Sequence, residues 1–97
     1  MMPWYVYIAE CNDRTLYTGI STDPVGRMER HNAGRGSRYV RRRGGVTDLR
    51  YIEQCHDKPT ARRRELEIKS WSRTKKLALI TTTTGVNAAA TEQKEVS

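Results

Sequence analysis

Residues 4–11, WYVYIAEC, are an almost unbroken apolar run of aromatic and β-branched types, and residues 15–20, TLYTGI, repeat the character in a shorter form. Asn12 and Asp13 between them are turn formers, so the pattern predicts a β-hairpin. Side chains alternate faces along a strand, so Tyr7 and Tyr17 share a face only if paired residue numbers sum to an even value. A two-residue turn at Asn12-Asp13 gives an odd sum. A shared face therefore requires a three- or five-residue loop, or a bulge.

The polarity then changes period. Asp23 before Pro24 reads as an N-cap followed by proline at the first helical position, opening a helix to about Asn32 that Gly34 stops. Gly26 in its first turn costs ~1 kcal/mol relative to alanine. The segment AGRGSRYVRRRGG that follows is too polar and glycine-rich to pack, and LRYIEQC at 49–55 alternates as a third strand. Pro59-Thr60 precede a helix from Ala61 to about Trp71. On it Ala61, Glu65, Ile68 and Ser72 recur at helical spacing as the inward stripe, while Arg62 and Arg63 splay outward. Ser72 also suits the cap of a last helix through Ile80, with Trp71, Leu77, Leu79 and Ile80 as core. From Thr81 the composition turns to threonine, alanine and polar residues, a disordered or loosely attached tail over 81–97. The expectation is a single α/β (α+β) domain over residues 1–80, a small three-stranded antiparallel sheet flanked by helices.

Ninety-seven residues support one modest core, burying about 60 to 65% of the unfolded chain's surface. Lys and Arg outnumber Asp and Glu by 18 to 11, a net charge of +7, which favours a polyanionic partner. Thirteen of the 18 are arginine, seven of them between Arg27 and Arg43 with Glu29 as the single acid there. Arginine grips phosphate through two hydrogen bonds, so Arg35, Arg38, Arg41, Arg42 and Arg43, with Arg62 to Arg64, are expected to make nonspecific contacts to a nucleic-acid backbone. A merely solvated basic face is the alternative. Cys11 and Cys55 lie in strand-like runs without zinc-ligand spacing, and are read as buried, reduced thiols. With no charged leader ahead of an apolar stretch, and no run near the roughly 18–20 apolar residues of a membrane span, a cytoplasmic protein is expected.

The order of Tyr7, Tyr17, Arg27, His31 and Glu65, with the tripeptides Tyr5-Val6-Tyr7 and Tyr17-Thr18-Gly19, resembles the GIY-YIG endonuclease family over residues 3 to 80, in its small stand-alone, UPF0213-like form. The resemblance implies a metal-dependent endonuclease hydrolysing phosphodiester bonds in DNA, as in repair or recombination, with RNA also open as substrate; the sequence leaves the oligomeric state open, with a monomer favoured. It implies that Glu65 holds one Mg²⁺ or Mn²⁺, that Arg27 binds the scissile phosphate, and that His31 stands where the family has histidine or tyrosine. Tyr17 would be the general base or orient water, and Tyr7 would position phosphate or nucleophile. Four of the five have a plainer reading beside this one: Glu65 bridged to Arg62 or Lys69, His31 on a helix surface, both tyrosines as hairpin aromatics. Two departures count against full activity. Ile20 stands where some members have lysine, and Leu77 where many have asparagine, with Asn87 further on. A catalytically weak nucleic-acid-binding module of the same fold is therefore the alternative function.

Overall fold

The computed structural model describes residues 2–33 and 44–82. Within them the chain runs through strands β1 (Trp4–Cys11) and β2 (Leu16–Ser21), helix α1 (Pro24–Asn32), strand β3 (Val46–Cys55) and helices α2 (Lys58–Lys69) and α3 (Arg73–Thr82). The strands form an antiparallel sheet in the order β2-β1-β3, which puts the most apolar strand in the centre. Val6 to Ala9 are consecutively buried because β1 is covered on both faces. Its even-numbered face, Val6 and Ile8, packs with Tyr51 and Cys55 of β3, Ala61 and Ile68 of α2 and Ile80 of α3. Its odd-numbered face, Tyr7 and Ala9, packs with Met28 of α1, flanked by Tyr17, Val46 and Leu49.

The hairpin register meets the parity condition. Tyr7 pairs with Gly19 and Ala9 with Tyr17, so both tyrosines lie on the α1 face. The turn has three residues, Asn12 to Arg14. The Arg14 amide donates to the Cys11 carbonyl at 2.9 Å, the Cys11 amide to the Thr15 carbonyl at 2.8 Å, and Arg14 itself is left-handed at φ 74°. This is the type I turn plus left-handed residue that joins strands with one extra position. Asp13 Oδ1 accepts from the Thr15 amide at 3.1 Å and the Thr15 hydroxyl at 2.6 Å, fixing the exit.

Gly19 is needed for its lack of a side chain. A Cβ there would sit 2.5 Å from the Tyr7 hydroxyl oxygen and 2.7 Å from the ring carbon that bears it. Gly26 has a similar reason: the Asp23 carboxylate folds over it to accept from its amide at 3.1 Å, so the cap uses the space that the glycine leaves.

α1 has the expected bounds; the other elements differ at their ends. β3 begins at Val46, three residues before the expected start, because Asn32 Oδ1 accepts from the Val46 amide at 2.7 Å and ties the strand to the end of α1. Register shifts against β1 after Ile8 and after Glu10 bulge this early portion and hide its alternation, and Arg50 at the first shift pairs with Glu10. α2 starts at Lys58 rather than Ala61, since Asp57 is the cap, accepting from the Thr60 amide at 2.9 Å, and Pro59 is tolerated in the first turn. It ends at Lys69, two residues before Trp71. Ala61, Glu65 and Ile68 are buried as the stripe requires. Ser72 is instead exposed and caps α3, accepting from the Lys75 amide at 3.2 Å. α3 runs through Thr81 and Thr82, whose hydroxyls donate to the Leu77 and Ala78 carbonyls; residues 83–97 lie outside those described. Both cysteines are buried and neither is in a disulfide. Among the described residues no helix is long and apolar enough to cross a membrane.

Gly19→Ala is expected to destabilise the fold by about 1–3 kcal/mol through overpacking, read from urea denaturation, and Tyr7→Phe in the same chain should recover part of that loss. An additive pair of changes would show that the ring and the glycine do not share this space.

Candidate active site

Tyr7 is the innermost member of the site. It is fully buried, its ring over Gly19, and its centroid lies 6.2 Å from that of Tyr17 at a 43° tilt. Burial pushes the Tyr7 phenol well above the ordinary tyrosine range; Tyr17 adds to that, the Arg27 guanidinium opposes it, and Glu65 contributes a further upward push. The net result is a phenol that keeps its proton at neutral pH. Tyr7 is therefore set to donate a hydrogen bond to an anion.

Tyr17 is half-buried and bridges Tyr7 to α1, with the His31 ring edge-on at 5.6 Å between centroids. His31 is 2% exposed, so it is not a helix-surface histidine. Its pKa is lowered by burial first, and then by the positive charges of Arg27 and Arg30. A lowered value leaves the imidazole neutral at pH 7 and able to accept a proton. Arg27 lies one turn before His31 on the same helix, and its Nε is buried without a hydrogen-bond partner among the described residues. Its charge acts on both the Tyr7 phenol and the His31 ring, favouring the deprotonated form of each.

Glu65 comes from α2, where its side chain is 7% exposed. Lys69 Nζ lies 3.0 Å from Oε2, and Arg62 Nη1 lies 3.5 Å from Oε1. The plainer reading of this acid, bridged along its helix, is thus realised. It does not exhaust the carboxylate. Oε1 is buried and accepts no hydrogen bond among the described residues, the 3.5 Å approach of Arg62 being an ion-pair distance only. Among the described residues no group of three or more His, Cys, Asp or Glu side chains could hold a metal. A hard divalent ion that keeps several waters and takes one carboxylate fits this donor set; a zinc site does not.

All five residues singled out by the sequence are therefore joined by ring contacts or by electrostatic influence, through Tyr7. The arginines separate. Arg62 and Arg63 are exposed on α2. Arg64 is engaged within the fold: its Nε donates to both Glu53 oxygens at 3.2 and 3.1 Å, its Nη1 to Glu67 at 3.0 Å, and its guanidinium lies over the Trp71 ring. Arg35, Arg38, Arg41, Arg42 and Arg43 lie outside the described residues. Ile20 and Leu77, at the two departures from the family pattern, pack against the apolar core. Sequence reading named Lys69 only as a bridging partner; its position four residues after Glu65 is the signal that it stands beside the site.

The model of the GIY-YIG catalytic domain matches residues 3–78. A UPF0213 protein of Staphylococcus haemolyticus is 46% identical over 80 residues, which cover 82% of this chain and 96% of the relative. A UPF0213 protein of Halobacterium salinarum is 49% identical over 75 residues, 77% of this chain and 96% of that one. Among solved structures, the solution NMR structure of a UPF0213 protein from Bacillus halodurans superposes with a TM-score of 0.55 at 40% identity, covering 87% of this chain and 88% of that chain. With the tyrosine pair in register and the same fold in a solved relative, this chain belongs to the GIY-YIG family, whose catalytic domains are nucleases.

Proposed function

We propose that the chain is a divalent-metal-dependent endonuclease that hydrolyses phosphodiester bonds in DNA. One observation carries the reading. Tyr7 Oη, Arg27 Nε and Glu65 Oε1, from three different elements, are buried without hydrogen-bond partners among the described residues, and the charges of Arg27 and Glu65 both act on the Tyr7 phenol. Leaving such groups unpaired costs about 1–3 kcal/mol each. Two donors and a carboxylate oxygen together suit a phosphate with an accompanying cation.

In this site Arg27 would take a non-bridging oxygen of the scissile phosphate, meeting charge that grows in the transition state. Tyr7, held protonated, would donate to the same group and fix its position against the sheet. Tyr17, between Tyr7 and His31, would orient the attacking water, and neutral His31 would accept its proton. Glu65 would hold Mg²⁺ or Mn²⁺, which when bound supplies positive charge for the phosphoryl and leaving oxygens. Arg62 and Arg63, with the arginines of 35–43, would contact the backbone without reading bases, so affinity should fall steeply with salt. A reducing cytoplasm suits two cysteines outside any disulfide, and DNA repair or recombination suits the chemistry. The apolar packing of Leu77 favours the second reading, a binding module with little catalysis.

Cleavage of labelled single-stranded, duplex and branched DNA with Mg²⁺ or Mn²⁺ separates the two. Cutting that disappears in Glu65→Ala while DNA binding persists is the expected result; no cutting by either protein, with salt-sensitive binding in both, selects the binding module. Arg27→Ala should lower kcat by about 10²–10³-fold, the loss of one transition-state donor, as measured in single-turnover cleavage. Because His31 must be neutral to accept a proton and its pKa is lowered from 6.5, the rate should rise with pH only on the acid side, level off below that value, and lose this limb in His31→Gln. A limb that survives the substitution assigns it to another group.

A further inference from the structure

Glu65 is held by two cations of its own helix, from three residues before and four residues after. Ordinary helix pairs have both partners in water and contribute little. Here the acid is fixed, 7% exposed, while the side chains of Lys69 and Arg62 are 48% and 62% exposed. Long, exposed stems with a buried anchor are free to leave it.

Their attraction to Glu65 depends on its charge being unshared. Once a divalent cation neutralises the carboxylate from the Oε1 side, where no hydrogen bond is formed, Lys69 and Arg62 become like-charged neighbours of that cation and are repelled. A displaced Lys69 would be free to meet the substrate phosphate that the same site would bring in. Among the described residues Lys69 forms no other ion pair.

We propose that Lys69, with Arg62 in support, is a metal-gated phosphate contact: paired with Glu65 in the free protein, and passed to the nucleic-acid backbone when a divalent cation takes that carboxylate. The proposal rests on the reading of Glu65 as metal ligand and adds a substrate contact and a coupling. Lys69 opposes metal in the free protein and favours nucleic acid in the loaded one, so each ligand tightens the other by the same factor.

The test measures the salt dependence of duplex oligonucleotide affinity in chelator for the native chain, Lys69→Met, Glu65→Gln and the double variant. Lys69→Met should leave the native slope unchanged, because the lysine is occupied by Glu65. Glu65→Gln should steepen it by about one to two phosphate contacts, and Lys69→Met in that background should remove about one. A Lys69→Met effect equal in both backgrounds, including none in either, overturns the proposal. In parallel, Mn²⁺ alone is titrated and followed by water-proton relaxation, with Lys69→Met expected to bind roughly two- to fivefold tighter. Mn²⁺ binding that Glu65→Gln abolishes but Lys69→Met leaves unaltered overturns the gate and keeps Glu65 as the metal ligand. Absence of any Glu65-dependent Mn²⁺ binding overturns both.

Discussion

The Tyr7 ring lies over Gly19 across the β1–β2 pair, and the placement of the site follows from that contact. It needs an even register, which the three-residue turn with left-handed Arg14 supplies. The same register sends Val6 and Ile8 to the α2–α3 core and Tyr7 and Ala9 to α1. A one-residue slip would exchange those faces and place the tyrosines in the apolar core. Stability and chemistry thus rest on a single alternation, and the larger apolar face holds the strand that positions the smaller one.

Burial then sets the proton inventory. The sheet and α1 exclude water from Tyr7 and His31, and desolvation is the leading cause of both shifts, upward for the phenol and downward for the imidazole. Each group is left neutral at pH 7, one as donor and the other as acceptor. Arg27 adds to the effect at His31 and opposes it at Tyr7, as a single cation acting on a base and on an acid must. The unpartnered polar atoms around Tyr7 are a cost that a bound phosphate would offset.

Much of this was legible in the sequence, for identifiable reasons. Asp23-Pro24 is an unambiguous helix start, and the 61-65-68 spacing put Glu65 inward, as found. The five candidate residues came from the resemblance to the GIY-YIG pattern, and the structure adds the ring contacts and electrostatic influence that join them. Loop length was not: Asn12-Asp13 looks like a two-residue turn, and nothing in Arg14 announces a left-handed backbone. The early part of β3 was hidden by two bulges, which break the alternation that marks a strand. Arg64 read as one more basic residue because its partners, Glu53 on β3 and Trp71, become neighbours only in the folded chain. The charge states of Tyr7 and His31 depend on burial by elements distant in sequence, so no local pattern could give them.

Tyr7, Tyr17, Arg27, His31 and Glu65 are proposed to form one site for a nucleic-acid phosphate. An NMR titration of the isotope-labelled protein with a short duplex DNA and Ca²⁺, following the Arg27 Nε–H, the His31 ring and the backbone amides, tests it most directly. Signals of Tyr7, Tyr17, Arg27, His31 and Glu65 are expected to shift together with one Kd. Shifts confined to the outer surface of α2 and α3, with the Arg27 and His31 signals unmoved, would contradict it.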